Sequence, residues 1–322
     1  MRGVDNAPVT TRRLNMNNQT DTAVKKVLVA GDSQDALLRA VEKATTIEHY
    51  TGASVTALLV LYDPVTEILI ERYSADVAQR IIDDLVRNEL RALEVALAPY
   101  RNRIADVEAH VVFARDTAAA IITAARDRSI DLIVKPLGRS AHLADFLHTP
   151  LDWQLMRAAP CPVLFTRTAQ WLKPIRVLVA LDVMDKAHAE LNKRIVEHGA
   201  LVSAILGGEL HVATAYPSVA PYVAQYQVAQ DHSSIKVQLR EERFNALTRL
   251  LGDLDVAAAA VHVEEGRPRD VIRALASQLR IGLVVIGTAG RTGFSKLLIG
   301  NTAEEVVSDL TTDLLTVRVR SS

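Results

Sequence analysis

Short aliphatic runs alternate with longer amphipathic stretches along the whole chain. In the first half this pattern predicts strands near residues 26–31, 54–62, 107–114, 131–135 and 162–167. Apolar residues recur at helical spacing between them and predict helices over 35–51, 76–98 and 117–126. Strands that alternate with helices imply right-handed crossovers and a parallel sheet.

The same pattern then returns in the second half. The run KVLVAGD that begins at Lys26 reappears as RVLVALD at Arg176, and LIV at Leu132 reappears as VVI at Val284. Strands are expected near residues 177–181, 209–215, 260–264, 283–287 and 313–319. We therefore predict a duplication. Its parts are a disordered leader over 1–24, a first domain over 25–168, a linker over 166–174 and a second domain over 174–322.

Composition narrows the class of protein. Aromatic residues are only 4%, so the cores must be aliphatic, as in parallel sheets covered by helices. With 37 basic and 38 acidic residues and no basic stripe, a nucleic-acid partner is not expected. The single cysteine, Cys161, excludes an intrachain disulfide and is expected to be buried. The leader lacks the apolar centre of a secretory signal, and no window is long enough to span a membrane, which predicts a cytoplasmic protein.

A glycine-rich segment follows the fourth strand of the second half. Gly287 and Gly290 can permit unusual turns or close backbone approach to a ligand. Gly300, Asn301 and Thr302 come directly before an apolar helical pattern, whose first N–H groups suit phosphate oxygens. In this interpretation Arg291 adds charge-assisted bonds to the phosphates. Glycines after a strand also serve as turns and Asn or Thr as helix caps, so both interpretations stay open.

An aspartate ends the first strand of each half. Asp182 is a candidate contact for ribose or an adenine edge, or else a cap of the following helix; Asp32 is expected to be only a cap. The first half has Lys135, Gly138 and His148 at the positions that we align with Gly287, Gly290 and Gly300. Pro150 also removes an N–H from the phosphate cradle, so this half is expected to bind no phosphate. Pro150 and Asp152 instead indicate the start of a helix.

Other chemistry is not indicated. The chain lacks the glycine fingerprint of dinucleotide dehydrogenases, the P-loop of NTPases and the nucleophile elbow of hydrolases. His110 and His262 share a strand position and are expected to pack in the fold. We therefore predict no catalytic residues and no metal site.

Together, the tandem form, the two aspartates and the Gly287–Gly290–Gly300 spacing resemble the universal stress protein family. The resemblance implies two tandem Rossmann-like (adenine nucleotide alpha hydrolase-like) domains, each a five-stranded parallel sheet of order 3-2-1-4-5 with helices on both faces. It implies that the halves pair through their fifth strands, 163–166 and 315–319.

The same resemblance implies a ligand, ATP or another adenine nucleotide, with Mg²⁺ as its counterion. Asp182 and the backbone around Ala215 would face adenosine. The residues that would face the phosphates are Gly287, Gly290, Gly300, Asn301 and Thr302. Asn301 stands where the ATP-binding members have Ser or Thr, and Thr302 follows it.

Three functions remain open from the sequence. The first is a non-catalytic stress-response protein whose nucleotide occupancy alters a surface for a protein partner. The second is a slow ATP hydrolase at the same site. The third is a binding module for an apolar ligand under the connection 217–234, which carries the apolar residues Tyr216, Val219, Tyr222, Val223 and Tyr226.

Overall fold

A computed structural model describes residues 24–137, 150–167, 170–218, 232–288 and 310–318. The described chain forms two compact units, the first ending at Gln170 and the second beginning at Trp171. The leader predicted over 1–24 lies outside the described residues except for its last position. The connection predicted over 217–234 is described only at its two ends.

The first half is built on a parallel sheet in the order β3-β2-β1-β4-β5. Its strands are β1 (Lys26–Gly31), β2 (Ser54–Leu61), β3 (Val107–Phe113), β4 (Leu132–Pro136) and β5 (Val163–Thr166). The central strands carry continuous aliphatic runs, and every residue of β4 and β5 is buried. That pattern arises because crossover helices cover both faces of a parallel sheet.

In the described part of the first half, five α-helices and a 3₁₀ turn, Ala98–Tyr100, connect these strands. The α-helices are α1 (Gln34–Thr51), α2 (Pro64–Ile70), α3 (Ala75–Leu97), α4 (Thr117–Asp127) and α5 (Pro150–Ala158). Helix α1 contacts α3, and α4 contacts α5, as expected when two crossovers lie on each face. The aliphatic side chains that these helices bury, such as Leu37 and Ile121, each contribute about 1.5–3 kcal/mol. Helix α5 begins at Pro150, as its sequence predicts.

Helix α2 was not predicted from the hydrophobic pattern. It is short, and its apolar residues Val65 and Ile68 are exposed, so no buried face produces a helical period. The local sequence signal for this helix is the cap at its N-terminus. Asp63 accepts hydrogen bonds from the Thr66 backbone N–H at 2.8 Å and hydroxyl at 2.6 Å, just before Pro64 at the first helical position.

The second half repeats the topology in the order β8-β7-β6-β9-β10. Its strands are β6 (Arg176–Ala180), β7 (Glu209–Tyr216), β8 (Ala260–Glu265), β9 (Leu283–Gly287) and β10 (Asp313–Val317). The described helices are α6 (Ala189–Ile205), α7 (His232–Asp253) and α8 (Pro268–Gln278). The strand order 3-2-1-4-5 is thus confirmed in both halves.

One connection differs between the halves in a way that matters for the site. Helix α1 begins three positions after β1, whereas α6 is preceded by a longer segment containing a 3₁₀ turn, Lys186–His188. This segment follows the carboxyl end of the central strand β6. It therefore adds side chains where ligands bind in such sheets.

Within the described ranges, no helix is both long and apolar enough to cross a membrane. The pairing of the two halves through their fifth strands stays a prediction.

Candidate functional site

A cavity of about 340 Å³ lies at the carboxyl ends of β6, β7 and β9 in the second half. Strand β6 pairs with β9 on one side and with β7 on the other, so the order of the sheet reverses here. Open parallel sheets bind their ligands at this point. Three of the predicted contact residues, Asp182, Ala215 and Gly287, line the cavity. The other five lie outside the described residues; they are Gly290, Arg291, Gly300, Asn301 and Thr302.

The cavity walls are mainly apolar. Helix α6 supplies one side, helix α8 another, and the strand ends form the floor. The largest aliphatic contributors are Leu181, Leu191, Ile195, Val271, Ile272 and Ile286. The volume falls at the small end of the range of roughly 300–1,000 Å³ that is typical of small-molecule sites. A flat or apolar ligand body suits such walls, with a few polar groups fixing its orientation.

Asp182 provides one of the polar groups that can fix the orientation of a ligand in the cavity. Its backbone carbonyl accepts a hydrogen bond of 2.6 Å from the Asn192 amide, which ties the segment to α6. One carboxylate oxygen accepts a 3.4 Å bond from the Met184 backbone N–H. The side chain remains 61% exposed, so its oxygens are available to a ligand hydroxyl or amine. Asp182 does not cap α6. The interpretation of Asp182 as a helix cap, which the sequence left open, is therefore excluded.

The cap belongs to Asp185, which accepts a 2.9 Å hydrogen bond from the Ala187 N–H at the 3₁₀ turn. That turn brings the His188 ring to 3.4 Å from the Asp182 carboxylate, measured from Nδ1 to Oδ2. Single ligand atoms of Asp182, Asp185 and His188 lie within 4.8 Å of one another, so this set could hold a divalent cation. Sequence reasoning missed it because an Asp-x-x-Asp-x-x-His run in a loop follows no standard ligand spacing.

Gly287 serves packing rather than an unusual turn. It is the last residue of β9, pairs in register with Val317 and does not adopt a positive φ. A Cβ atom at this position would lie 2.5 Å from Leu191 Cδ2 and 2.9 Å from Ile195 Cδ1. The absent side chain therefore lets α6 approach the end of β9, which shapes one wall of the cavity. Of the two possibilities left open for Gly287, an unusual turn and a close backbone approach to a ligand, the structure excludes the unusual turn.

The strand registers also correct the alignment of the two halves. Val27 pairs with Leu132 in the first half, and its counterpart Val177 pairs with Leu283 in the second. Counting along β4 and β9 from these pairs places Pro136, not Lys135, at the position of Gly287. The equivalent bonds Leu137 N–H to Thr166 O and Thr288 N–H to Val317 O, 2.9 and 3.0 Å, agree with this register. Aliphatic residues are interchangeable in a pattern, so the sequence alone allowed a one-residue slip.

Lys135 instead occupies the position of Ile286, which lines the cavity in the second half. Its ammonium lies 2.8 Å from Asp152 on α5, and the two side chains are only 8% and 3% exposed. The same ammonium donates to the Pro136 carbonyl at 3.1 Å. The first half thus places a buried ion pair where the second half has an apolar wall. Asp152 lies in the first turn of α5, as its sequence predicts, and is also the partner in this ion pair.

Arg243 is a cavity residue that the sequence did not reveal. It projects from α7, and its guanidinium lies over the Tyr216 ring, 5.7 Å from the centroid. One Nη1–H donates to the Leu239 carbonyl of the same helix at 3.0 Å. No sequence signal distinguishes Arg243 from the neighbouring basic residues of α7, because only the tertiary packing decides which of them meets the cavity.

The histidine of β8, His262, packs in the fold as expected, and its neighbour is a second histidine. His262 Nε2 lies 3.2 Å from Nδ1 of His211 on β7, and the rings stack with centroids 5.4 Å apart. Burial lowers the pKa of His211. Burial and then the neighbouring His211 lower the pKa of His262. Sequence reasoning missed His211 because its counterpart in the first half, Thr56, carries no ring.

Comparison with known proteins agrees with this architecture. The universal stress protein family (Usp) matches residues 23–167 and 175–318. The chain is 32% identical over 304 residues to the universal stress protein E homolog of Haemophilus influenzae, covering 91% of this chain and 97% of that protein. It is 30% identical to universal stress protein E of Escherichia coli K12, covering 89% of this chain and 90% of that protein.

Solved structures show the same fold. A putative universal stress protein from Pseudomonas aeruginosa UCBPP-PA14 superposes with a TM-score of 0.68 at 26% identity, covering 92% of this chain and 94% of that one. A universal stress protein from Archaeoglobus fulgidus gives 0.62 at 16% identity, over 91% and 98% of the two chains. With two repeats matched over almost the whole chain, this protein belongs to the universal stress protein family and carries two Usp domains in tandem.

Proposed function

We propose that this tandem universal stress protein is a non-catalytic stress-response protein that binds one adenine nucleotide in its second half. The observation that carries the proposal is the cavity at the strand-order reversal of the second half, with Asp182 and Gly287 at the ends of the two strands that flank it. Ligand occupancy would then alter the surface presented to a protein partner.

The arrangement supports a definite orientation of the nucleotide. Phosphates are held at the glycine segment after β9, so the ribose lies over β6 and the base toward β7. Adjacent strands are about 4.8 Å apart, so the ends of β9, β6 and β7 offer three neighbouring positions for the phosphates, the ribose and the base. Asp182 then accepts a hydrogen bond from a ribose hydroxyl or from the adenine amine, and the backbone around Ala215 faces the base.

The first half is not expected to bind a second nucleotide. Pro136 stands at the position of Gly287, and the Lys135–Asp152 pair is buried beside it. Opening that pair to admit a phosphate would leave a buried carboxylate without its cation, at a cost of about 3–5 kcal/mol. One nucleotide per chain is therefore the expected stoichiometry.

A titration of the intact protein with ATP tests the proposal, using calorimetry together with native mass spectrometry. One molecule per chain is expected. Asp182→Ala is expected to weaken binding about tenfold, the loss of one hydrogen bond of about 1.4 kcal/mol. Asp32→Ala is the matched control, since it removes the aspartate at the same position of the first half. Absence of any adenine nucleotide binding, or equal effects of both substitutions, would contradict the proposal.

The contact between His188 and Asp182 favours slow ATP hydrolysis as a second candidate. A carboxylate that orients a histidine can create a general base. Phosphate release measured on the wild type, Asp182→Ala and His188→Gln separates the two functions. Hydrolysis that His188→Gln abolishes while ATP binding is retained would replace the non-catalytic proposal with an enzyme. Release that survives both substitutions would come from a contaminant.

A further inference from the structure

Arg243 brings a positive charge to the mainly apolar cavity, and no carboxylate among the described residues, Asp182 included, forms an ion pair with it. A guanidinium has five N–H donors, and within the described part of the chain one of them is engaged, by the Leu239 carbonyl. The Nε atom of Arg243 is buried and finds no acceptor among the described residues. The Tyr216 ring beneath it is 2% exposed and offers a π-face, which orients the guanidinium without neutralising it.

Two carboxylates, Glu265 of β8 and Glu242 of α7, are engaged elsewhere. Glu265, which pairs in register with Tyr216, accepts the Ser218 hydroxyl at 2.6 Å and the Lys236 ammonium at 2.5 Å. Glu242 accepts the Gln238 amide at 3.0 Å. A partly buried cation with open donors and no carboxylate partner among the described residues is unfavourable, and an anionic ligand group would relieve the cost.

The rest of the cavity selects what is attached to that anionic group. Val271 and Ile272 of α8 and Leu191 and Ile195 of α6 all line the cavity, and none of the four is more than 7% exposed. Walls of this kind stabilise a hydrocarbon chain by the area that it removes from water. A ligand that places an acidic head group on the arginine and an apolar body between the aliphatic helices is a carboxylic amphiphile.

We propose that the cavity of the second half binds a fatty-acid-type carboxylate, with its head on Arg243 and its chain between α6 and α8. This binding function is separate from nucleotide binding, although both ligands use the same cavity and exclude each other.

The test compares decanoate with 1-decanol, which has the same chain length without the charge, by calorimetry on the full-length protein below the aggregation limit of either ligand. Decanoate is expected to bind once per chain and at least about tenfold more tightly than decanol, because a charge-assisted bond to Arg243 is worth about that factor. Octanoate should bind about 15-fold more weakly than decanoate, since each buried methylene contributes about fourfold.

The Arg243→Met variant should lose the advantage of decanoate over decanol while decanol binding changes little. Arg243→Lys retains the charge and should keep much of that advantage, which separates charge from folding. Arg240→Met is the matched control on the same helix, because Arg240 is exposed and should not affect either ligand. Circular dichroism and thermal unfolding of each variant confirm that the second half is folded.

Equal binding of decanoate and decanol to the wild type would overturn the proposal, as would equal losses in the Arg243→Met and Arg240→Met variants. Competition with ATP distinguishes the two proposals from each other. Decanoate binding without ATP binding leaves this inference standing and removes the nucleotide proposal. ATP binding without decanoate binding does the reverse.

Discussion

The buried ion pair of the first half gives a sharp energetic prediction. Replacing Lys135 by Ile copies the residue at the equivalent position of the second half, Ile286. The substitution leaves Asp152, whose side chain is 3% exposed, without the ammonium at 2.8 Å. Removing one partner of a buried pair costs about 3–5 kcal/mol, mainly because the remaining charge is poorly solvated.

The double variant Lys135→Ile/Asp152→Leu removes both charges and replaces them with apolar side chains. Buried pairs exchanged in this way are often neutral or stabilising, so we expect the double variant to recover most of the loss. For a unit of about 150 residues, 3–5 kcal/mol corresponds to a fall in melting temperature of roughly 6–20 °C in the single variant. The double variant should unfold within a few degrees of the wild type.

Tryptophan fluorescence can isolate the first half in this experiment. The chain has two tryptophans, Trp153 on α5 and Trp171 at the start of the second unit. In a Trp171→Phe background, urea unfolding followed at Trp153 reports the unit that contains the pair. The reasoning is refuted if Lys135→Ile costs less than about 1 kcal/mol, or if the double variant is as unstable as the single one.

Three further predictions concern packing, pH and helix capping. Gly287→Ala should destabilise the second half by about 1–3 kcal/mol in urea unfolding, since the new Cβ would lie 2.5 Å from Leu191 Cδ2; a neutral result would mean that α6 shifts freely. The pKa values of His211 and His262 are lowered in the fold, so the unfolded state binds more protons below its pKa of about 6.5. Stability of the second half should therefore be full above that pH and fall as the pH drops below it, and His262→Phe should flatten the slope measured by denaturation between pH 5 and 8. Asp116→Ala removes the cap at the start of α4, a 2.9 Å bond, and should cost about 1 kcal/mol in thermal unfolding of the first half, whereas Asp116→Asn should retain most of the stability.

For much of the candidate site, the sequence predicted where a residue lies in the fold but not which groups it contacts. Asp182 and Gly287 were placed at strand ends from the pattern, Ala215 was named through the family resemblance, and all three line one cavity. Their roles were not visible. Whether Asp182 caps a helix depends on where α6 begins, and the 3₁₀ turn with its own cap at Asp185 moves that start further along the chain.

The sequence by itself determined the duplication, the alternation of strands and helices along the chain apart from α2, and the class of sheet. These follow from hydrophobic periodicity, which is a local property that each segment carries in its own residues. The sequence also predicted the start of α5 at Pro150. Proline favours the first helical position because its fixed φ suits a helix and its missing N–H would have no partner there.

Only the tertiary structure decided the register and the partners. The one-residue correction that sets Pro136 against Gly287 came from hydrogen-bonded pairs between distant strands. The contacts of Lys135 with Asp152 and of Arg243 with Tyr216 likewise join separate elements. Such pairs produce no periodicity in the sequence. The energy of a buried charge depends on which group lies beside it after the helices pack, and the residue types alone do not specify that neighbour.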